Sequence, residues 1–481
     1  MYVGRRQEPN QPAKGEPAMI LQTTLAKIDA NRQRYVEELL GFLKIPSVST
    51  YTHHASDVRR AAEWVGNHLQ RIGFETRIYR TERHPVVFAQ HCNAPGAPTL
   101  LVYGHYDVQP PEPLDEWLTP PFSPSIRDGY VYARGATDDK GQFFTYVKAV
   151  EAVLAVAGNL PVNVKFLVEG EEEIGSPSLG RFMREHSHEL KADVITISDF
   201  SQFSRGVPAI TYGLRGLSYF QLDLQGPRFD LHSGSFGGLI HNPVQVLADI
   251  LARLKSADGK VAIPGFYDDV LDLEEWERKE MDSLHLDESA LKEYLGVEAL
   301  TGEKGYTPME RKTARPTLDV NGIWGGFSGE GAKTIIPSKA GAKVSMRLVP
   351  DQDPAVINAR FEEFVRALTP PGVKIDITEL NAAGPLLVTR DNRAVQAAAR
   401  AIDIGFGKPP VFIREGGSIP IVNLMKEVLT TRNILMLGWG SPDDGAHSPN
   451  ERFHLDDFHR GIRSAAALLF EIAESRSTRP E

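Results

Sequence analysis

Residues 99–107 read TLLVYGHYD. An apolar run over Thr99–Tyr103 closed by glycine is a short buried strand running into a polar turn. Side chains two apart on an extended chain point the same way. His105 and Asp107 can therefore act together, the imidazole binding a metal through one nitrogen while the carboxylate holds the other. Similar strings recur: VNVKFLVEGEEEIGS at 162–176, DVITISD at 193–199 and ILMLGWGSPDDGAHSPNE at 434–451. Each puts Asp, Glu or His beyond a strand's carboxyl end, where open parallel sheets collect functional groups. Helical patterns over 141–156 and 179–186 separate the first strands. This alternation predicts an α/β fold with a mainly parallel central sheet flanked by helices.

Working outward, one helical pattern covers 19–41 and a second covers Ser56–Ile72, with Gly73 suited to the C′ position. Strands are expected at 76–79 and 86–90. Beyond Tyr212 the texture changes. LSYFQLDLQG and KVSMRL alternate like half-buried antiparallel strands, and helices are expected at 243–254 and 353–367. A charged stretch near 268–293 reads as a solvated helical insertion. The α/β texture returns from about Leu387, with helices at 392–404 and 458–474. The expected organisation is a discontinuous α/β domain, 19–211 and 386–481, interrupted by an α+β domain at 212–385. Residues 1–18 are polar and proline-rich, read as a disordered tail with Met19 a candidate start.

The 481 residues are 41% hydrophobic and 24% charged, an ordinary globular balance. Lys and Arg number 53 against 63 Asp and Glu, a net charge of −10. An acidic chain is poorly suited to neutralising phosphates, so no nucleic-acid partner is expected. The single cysteine, Cys92, excludes an internal disulfide and a thiolate-rich metal or iron–sulfur site, and its place at a strand end reads as structural. No run approaches the ~20 apolar residues of a membrane span, and the first residues lack the apolar region of an export signal. The cytoplasm is the expected location.

Taken singly, the polar segments have ordinary readings. RGATDDKG at 134–141 could be a helix-start charge cluster around Asp138. The carboxylates of EGEEEIGS could be a solvated acidic loop, and His447 a loop histidine. Taken together, segments supplying His, Asp, Glu, Asp and His at strand ends point to an oxygen-rich centre for divalent cations. Zinc is the first choice, with manganese or cobalt possible because carboxylates suit harder ions. A shared Asp138 suggests two metals ~3.5–4 Å apart.

The strings GHYDVQP, ARGATDDKG, EGEEEIGS, ISD, REGGSIP and GAHSPNE occur in this order. They resemble the motifs of the co-catalytic zinc exopeptidases, which include carnosinases, cytosolic non-specific dipeptidases, aminoacylases, carboxypeptidase G and succinyl-diaminopimelate desuccinylase. The resemblance covers nearly the whole chain from Met19 and is greatest to the carnosinase and cytosolic dipeptidase branch. It implies that His105 and Asp199 bind one metal, that Glu173 and His447 bind the other, and that Asp138 bridges them. It further implies that Asp107 orients His105 and that Glu172 is the general base. The inserted domain would be a lid that makes a homodimer. His232 would reach the partner subunit's active site, and Arg347 would clamp the substrate carboxylate. Asn242, Thr334, Gly416, Gly417 and Ser418 would line the substrate. Two departures concern the substrate: residues 381–385, NAAGP, lack a histidine common in carnosinase-like enzymes, and residues 200–210, FSQFSRGVPAI, differ from the eukaryotic pattern.

The implied activity is cleavage of the amide bond of dipeptides, or similar small substrates with a free carboxylate, by a metal-bound hydroxide and a Glu base. An alternative within the same chemistry is an N-acyl-amino-acid deacylase or amidohydrolase. An alternative of another class is a catalytically inactive binding module.

Overall fold

The computed structural model describes residues 15–417, 420–431 and 433–475. Most of the tail expected at 1–18 lies outside these residues, but Glu16–Ala30 is helical, with Pro17 in its first turn. Proline suits that turn because its missing N–H would have no partner there. The single helix expected over 19–41 is two, Glu16–Ala30 and Arg32–Leu43. Asn31 makes the break. Its backbone N–H donates to Ile28 and Lys27, and its side-chain Nδ2 donates to Lys27 O at 2.8 Å, so the chain satisfies the last turn locally. The helix Ala55–Arg71 ends as expected, with Gly73 at φ 100°.

The chain forms two compact units, one of residues up to Thr211, Val388–Phe412 and Leu424 onward, the other of Tyr212–Leu387 and Ile413–Asn423. The first is built on a mixed sheet. Its strands run, in spatial order, Glu75–Tyr79, Val86–His91, Asn163–Glu169, Thr99–His105, Val194–Ile197, Ile434–Leu437 and Ala209–Leu214. The strands Asn163–Glu169, Thr99–His105, Val194–Ile197 and Ile434–Leu437 are mutually parallel. Antiparallel strands flank them on both sides. Thr99–His105 is buried from Leu100 on, and Val194–Ile197 and Ile434–Leu437 are buried throughout. Unbroken burial, rather than alternation, is what a sheet covered on both faces requires, and it explains the continuous apolar runs in the sequence.

The helix Lys140–Ala157 supplies part of that cover and is buried through most of its length. It comes so near the sheet that a Cβ at Gly104 would lie 2.4 Å from Phe143 Cβ and 2.9 Å from Asp139 Oδ2. Glycine before His105 is therefore a packing requirement. It lets the helix that follows the Asp138 loop sit directly against the strand that carries His105.

The second unit holds an antiparallel sheet in the order Thr317–Gly325, Lys339–Leu348, Gly216–Gln225 and Lys374–Ala383. Gly216–Gln225 alternates buried and half-buried residues along its whole length, the pattern read in LSYFQLDLQG. Phe220, Leu222, Val344 and Met346 join Leu247 and Ile250 of the helix Pro243–Arg253, and Phe361 of the helix Pro354–Leu368, in one core. The charged stretch near 268–293 contains the helices Glu275–Ser283 and Glu288–Leu295, but it is not wholly solvated. Glu277 is buried, pairs with Arg414 and accepts from the Tyr212 hydroxyl at 2.9 Å. Arg414 belongs to residues 413–423, which group with this unit, as do Leu386 and Leu387, although the sequence reading set both segments in the other domain. Their ion pairs and backbone contacts lie with it: Arg215 Nε donates to Gly416 O at 3.0 Å, and Asn423 bonds Gly384 O.

Replacing Gly104 with alanine should lower unfolding stability by at least about 1–3 kcal/mol, the usual cost of overpacking a core. Chemical denaturation measures this, and a wild-type midpoint would show that the helix can retreat at no cost.

Candidate metal centre

Each parallel strand of the first unit delivers part of one site. Thr99–His105 ends in His105, and Asp107 follows on the next turn. Asn163–Glu169 leads through Gly170 to the short 3-10 turn Glu172–Ile174. A Cβ at Gly170 would meet the Tyr106 hydroxyl at 2.5 Å and the ring at 2.6 Å, so this crossing also requires glycine. Val194–Ile197 leads to Asp199, and Ile434–Leu437 to the loop bearing His447. Asp138 immediately precedes the helix Lys140–Ala157.

The structure brings the five expected ligands together. His105 Nε2 lies 3.1 Å from Asp138 Oδ1 and 3.8 Å from Asp199 Oδ2. His447 Nε2 lies 2.9 Å from Asp138 Oδ2 and 3.3 Å from Glu173 Oε2. Two ligand groups result, His105–Asp138–Asp199 and Asp138–Glu173–His447, and Asp138 belongs to both. His105 Nε2 is buried without a hydrogen-bond partner, an atom that a cation would satisfy. Nitrogen and carboxylate donors without sulfur fit divalent ions of the zinc, manganese or cobalt kind.

The acidic run resolves into separate tasks. Glu171 accepts from His84 N at 2.8 Å, Ser178 N at 2.9 Å and Thr81 Oγ1 at 3.0 Å, so it holds the loop. Asp107 accepts from Glu172 N at 3.3 Å and Glu173 N at 3.1 Å, and its Oδ1 is 3.4 Å from His105 Nδ1. His105 Nδ1 also lies 3.1 Å from Asp107 O. One aspartate thus ties the histidine strand to the glutamate loop. A third group, Glu38, His68 and Glu151, also gathers ligand atoms. There the Lys148 ammonium already stands among them, 2.6 Å from His68 Nε2 and paired with both glutamates.

Burial and crowding set the charges. Burial, with the Glu173 and Asp107 charges, lifts Glu172 to about 7. Burial and the Asp138 charge raise Glu173 and Asp199. Hydrogen bonds that the His447 ring donates to Asp138 and Glu173 raise its pKa to about 10. Burial opposes charge on His105, but Asp107 and Asp138 hold its pKa well above the usual range. The surrounding carboxylates thus hold both imidazoles toward their protonated forms.

Residues 101–471 match the profile of peptidase family M20/M25/M40. The chain belongs to that family. The M20 chain is 34% identical to a Cys-Gly metallodipeptidase of Schizosaccharomyces pombe over 463 residues, covering 93% of this chain and 97% of that protein. It is 32% identical to the human Beta-Ala-His dipeptidase, covering 95% and 94%. The crystal structure of human carnosine dipeptidase 1 superposes with a TM-score of 0.79 at 31% identity, covering 95% of this chain and 99% of that one. An M20 family metallo-carboxypeptidase from Sulfolobus solfataricus gives 0.80 at 33% identity, covering 92% and 99%. This M20 chain is a metal-dependent amide hydrolase of the exopeptidase kind, and its centre takes divalent metal ions.

The remaining expected residues lie in the second unit, except Ser418, which is outside the described residues. His232 is exposed, and its Nδ1 accepts from Gly234 N at 3.0 Å, which leaves the neutral ring's proton on Nε2. Across a short ladder His232 pairs with Ile335, and the carbonyl of the preceding Thr334 accepts from Ser233 N at 3.1 Å. Asn242 caps the helix Pro243–Arg253 through Val244 N at 3.0 Å. Arg347 pairs in register with Leu217 and Thr317 on the half-buried face of its sheet. Arg215, which the sequence reading did not single out, accompanies Gly416. Burial lowers its pKa to about 10, and the Arg347 charge adds to the shift. Nothing in the string GLRG announces that the Arg347 charge reaches this residue.

Metal binding must displace the protons on His105 and His447. Protons win as pH falls, so apparent affinity should drop about tenfold per unit for each proton displaced, across pH 8 to 6. Chelator competition with zinc or manganese at several pH values measures this; affinity independent of pH would contradict the electrostatic account.

Proposed function

We propose that this protein is a dinuclear dipeptidase of the carnosinase and cytosolic dipeptidase branch, cleaving small substrates that end in a free carboxylate. One observation carries the reading: Asp138 lies within 3.1 Å of His105 and 2.9 Å of His447, at the meeting point of two ligand groups. His105 and Asp199 would hold one cation, Glu173 and His447 the other, with Asp138 shared between them. Asp107 fixes the ring of His105. Zinc is the first candidate, manganese or cobalt the next. Two such ions, when bound, lower the pKa of a water toward ~7 and polarise the carbonyl under attack.

Glu172 accepts the proton of the attacking water and returns it to the leaving amine. Burial raises the pKa of this carboxyl well above that of an ordinary glutamate, which favours handing the proton on after taking it up. Bound cations would lower that value, which makes Glu172 the base at neutral pH. His232 donates from Nε2 to the oxygen that gains charge in the transition state. Arg347 takes the terminal carboxylate, ideally through two parallel hydrogen bonds. Asn242, Thr334, Gly416, Gly417 and Ser418 contact the rest of the substrate. The relatives named for Cys-Gly and β-Ala-His share this substrate logic: one short residue, one amide, one free carboxylate. The discontinuous unit is the catalytic domain. The inserted unit acts as a lid and makes a homodimer that delivers His232 to the partner. No described helix is long and apolar enough to cross a membrane, and the cytoplasm is the proposed location.

Glu172→Ala should reduce kcat by at least about 10²–10⁴-fold, the usual worth of a general base. Its metal content should stay at two per chain. Turnover of Ala-Gly, Cys-Gly and β-Ala-His beside N-acetyl amino acids, with metal analysis, tests both claims. Full activity in the variant would remove Glu172 from the role, and a preference for N-acetyl substrates would replace dipeptidase with deacylase.

A further inference from the structure

Asp138 is the shared ligand, so whatever fixes its position governs both cations. The loop before it has no helix or strand of its own. It is held from a distant part of the chain. Glu451 is fully buried, and its two oxygens accept from four donors. Oε2 takes Arg134 Nη1 at 3.0 Å and Gly135 N at 2.8 Å. Oε1 takes Thr137 N at 2.9 Å and Asp138 N at 3.1 Å. The carboxylate thus gathers the backbone of the whole turn that ends in Asp138.

The other end of Glu451 is equally fixed. Its carbonyl accepts from Ala133 N at 3.1 Å, and the strand Arg452–His454 that follows pairs with Tyr130–Tyr132. Asp444 O accepts from Arg452 N at 2.9 Å, closing the loop that presents His447. Arg134 is itself buried and spends Nη2 on Pro110 O at 3.1 Å. Two ligand loops more than three hundred residues apart are therefore laced through one side chain.

We propose that Glu451 is the positioning residue that holds Asp138 against His447, and so sets the affinity of the centre for its cations. The proposal rests on the reading of Asp138 as bridging ligand. Glu451 touches no cation. Outer partners of this kind are typically worth 10–100-fold in metal affinity. Glutamine has the same shape but only one acceptor oxygen. Its amide group would face either Arg134 and Gly135 or Thr137 and Asp138, and turn two acceptances into donor–donor contacts.

The test is chelator competition with zinc and with manganese on metal-free protein, well below each variant's melting temperature. Glu451→Gln should bind at least about tenfold more weakly, and Glu451→Asp, too short to span all four donors, at least about threefold. Ile472→Ala, a buried truncation on the closing helix, loses stability through a cavity alone and should keep wild-type affinity. Glu451→Gln within threefold of wild type would overturn the proposal, as would an equal loss in Ile472→Ala. If Glu451→Gln fails to fold, Glu451→Asp decides: wild-type affinity there overturns it. Asp138→Asn separates the two readings. If it too binds like wild type, the ligand assignment falls and the Glu451 proposal with it; if Asp138→Asn loses affinity while Glu451→Gln does not, only the latter falls.

Discussion

Concentrated negative charge in a dry site is the constraint from which the rest of this molecule follows. Asp107, Asp138, Glu172, Glu173 and Asp199 converge near the carboxyl ends of parallel strands, with His105 and His447 among them. Carboxylates that close cannot all ionise without positive charge. Part of the cost is met by protons on the imidazoles and on the more buried acids. Divalent ions meet it better, because each brings two charges and makes direct bonds. The centre is thus poised to exchange protons for metal.

Such a site needs a stiff frame, and the frame is a packing solution. Gly104 lets the helix Lys140–Ala157 press on the His105 strand, and Gly170 lets the glutamate loop cross Tyr106. Asp107, Glu171 and Glu451 spend their oxygens on backbone N–H groups of the ligand loops. Acidic residues therefore serve two trades here. Some line the candidate metal centre, and others hold the first kind still. A buried carboxylate satisfied by several amide donors is well suited to the second, since every contact is charge-assisted.

The second unit answers different demands. Its sheet alternates, one face packed on two helices and the other carrying Arg347. Around Gly416 the chain is gripped by Arg215, and the neighbouring Arg414 is paired with Glu277. Residues 413–423 thus group with a unit from which the sequence separates them. Long-range ion pairs of this sort leave no periodic trace, which is why linear reading placed that segment with its neighbours in the chain.

What the sequence by itself determined was the central strands of the first unit and the helices between them, the alternating strands of the second, and the polar segments that carry the five candidate ligands. Those follow from local rules: unbroken apolar runs for strands covered on both faces, polar turns after them, and motifs whose order is distinctive. It also carried the acidic run at 171–173 but not its division of labour, since three adjacent glutamates look alike until hydrogen-bond donors are assigned to them. The break at Asn31, the grouping of residues 413–423, the hold of Arg215 on Gly416, and the reach of Glu451 to Asp138 were decided only in three dimensions. Each depends on atoms brought together by packing rather than by spacing along the chain, and no window of sequence contains both halves of such a contact.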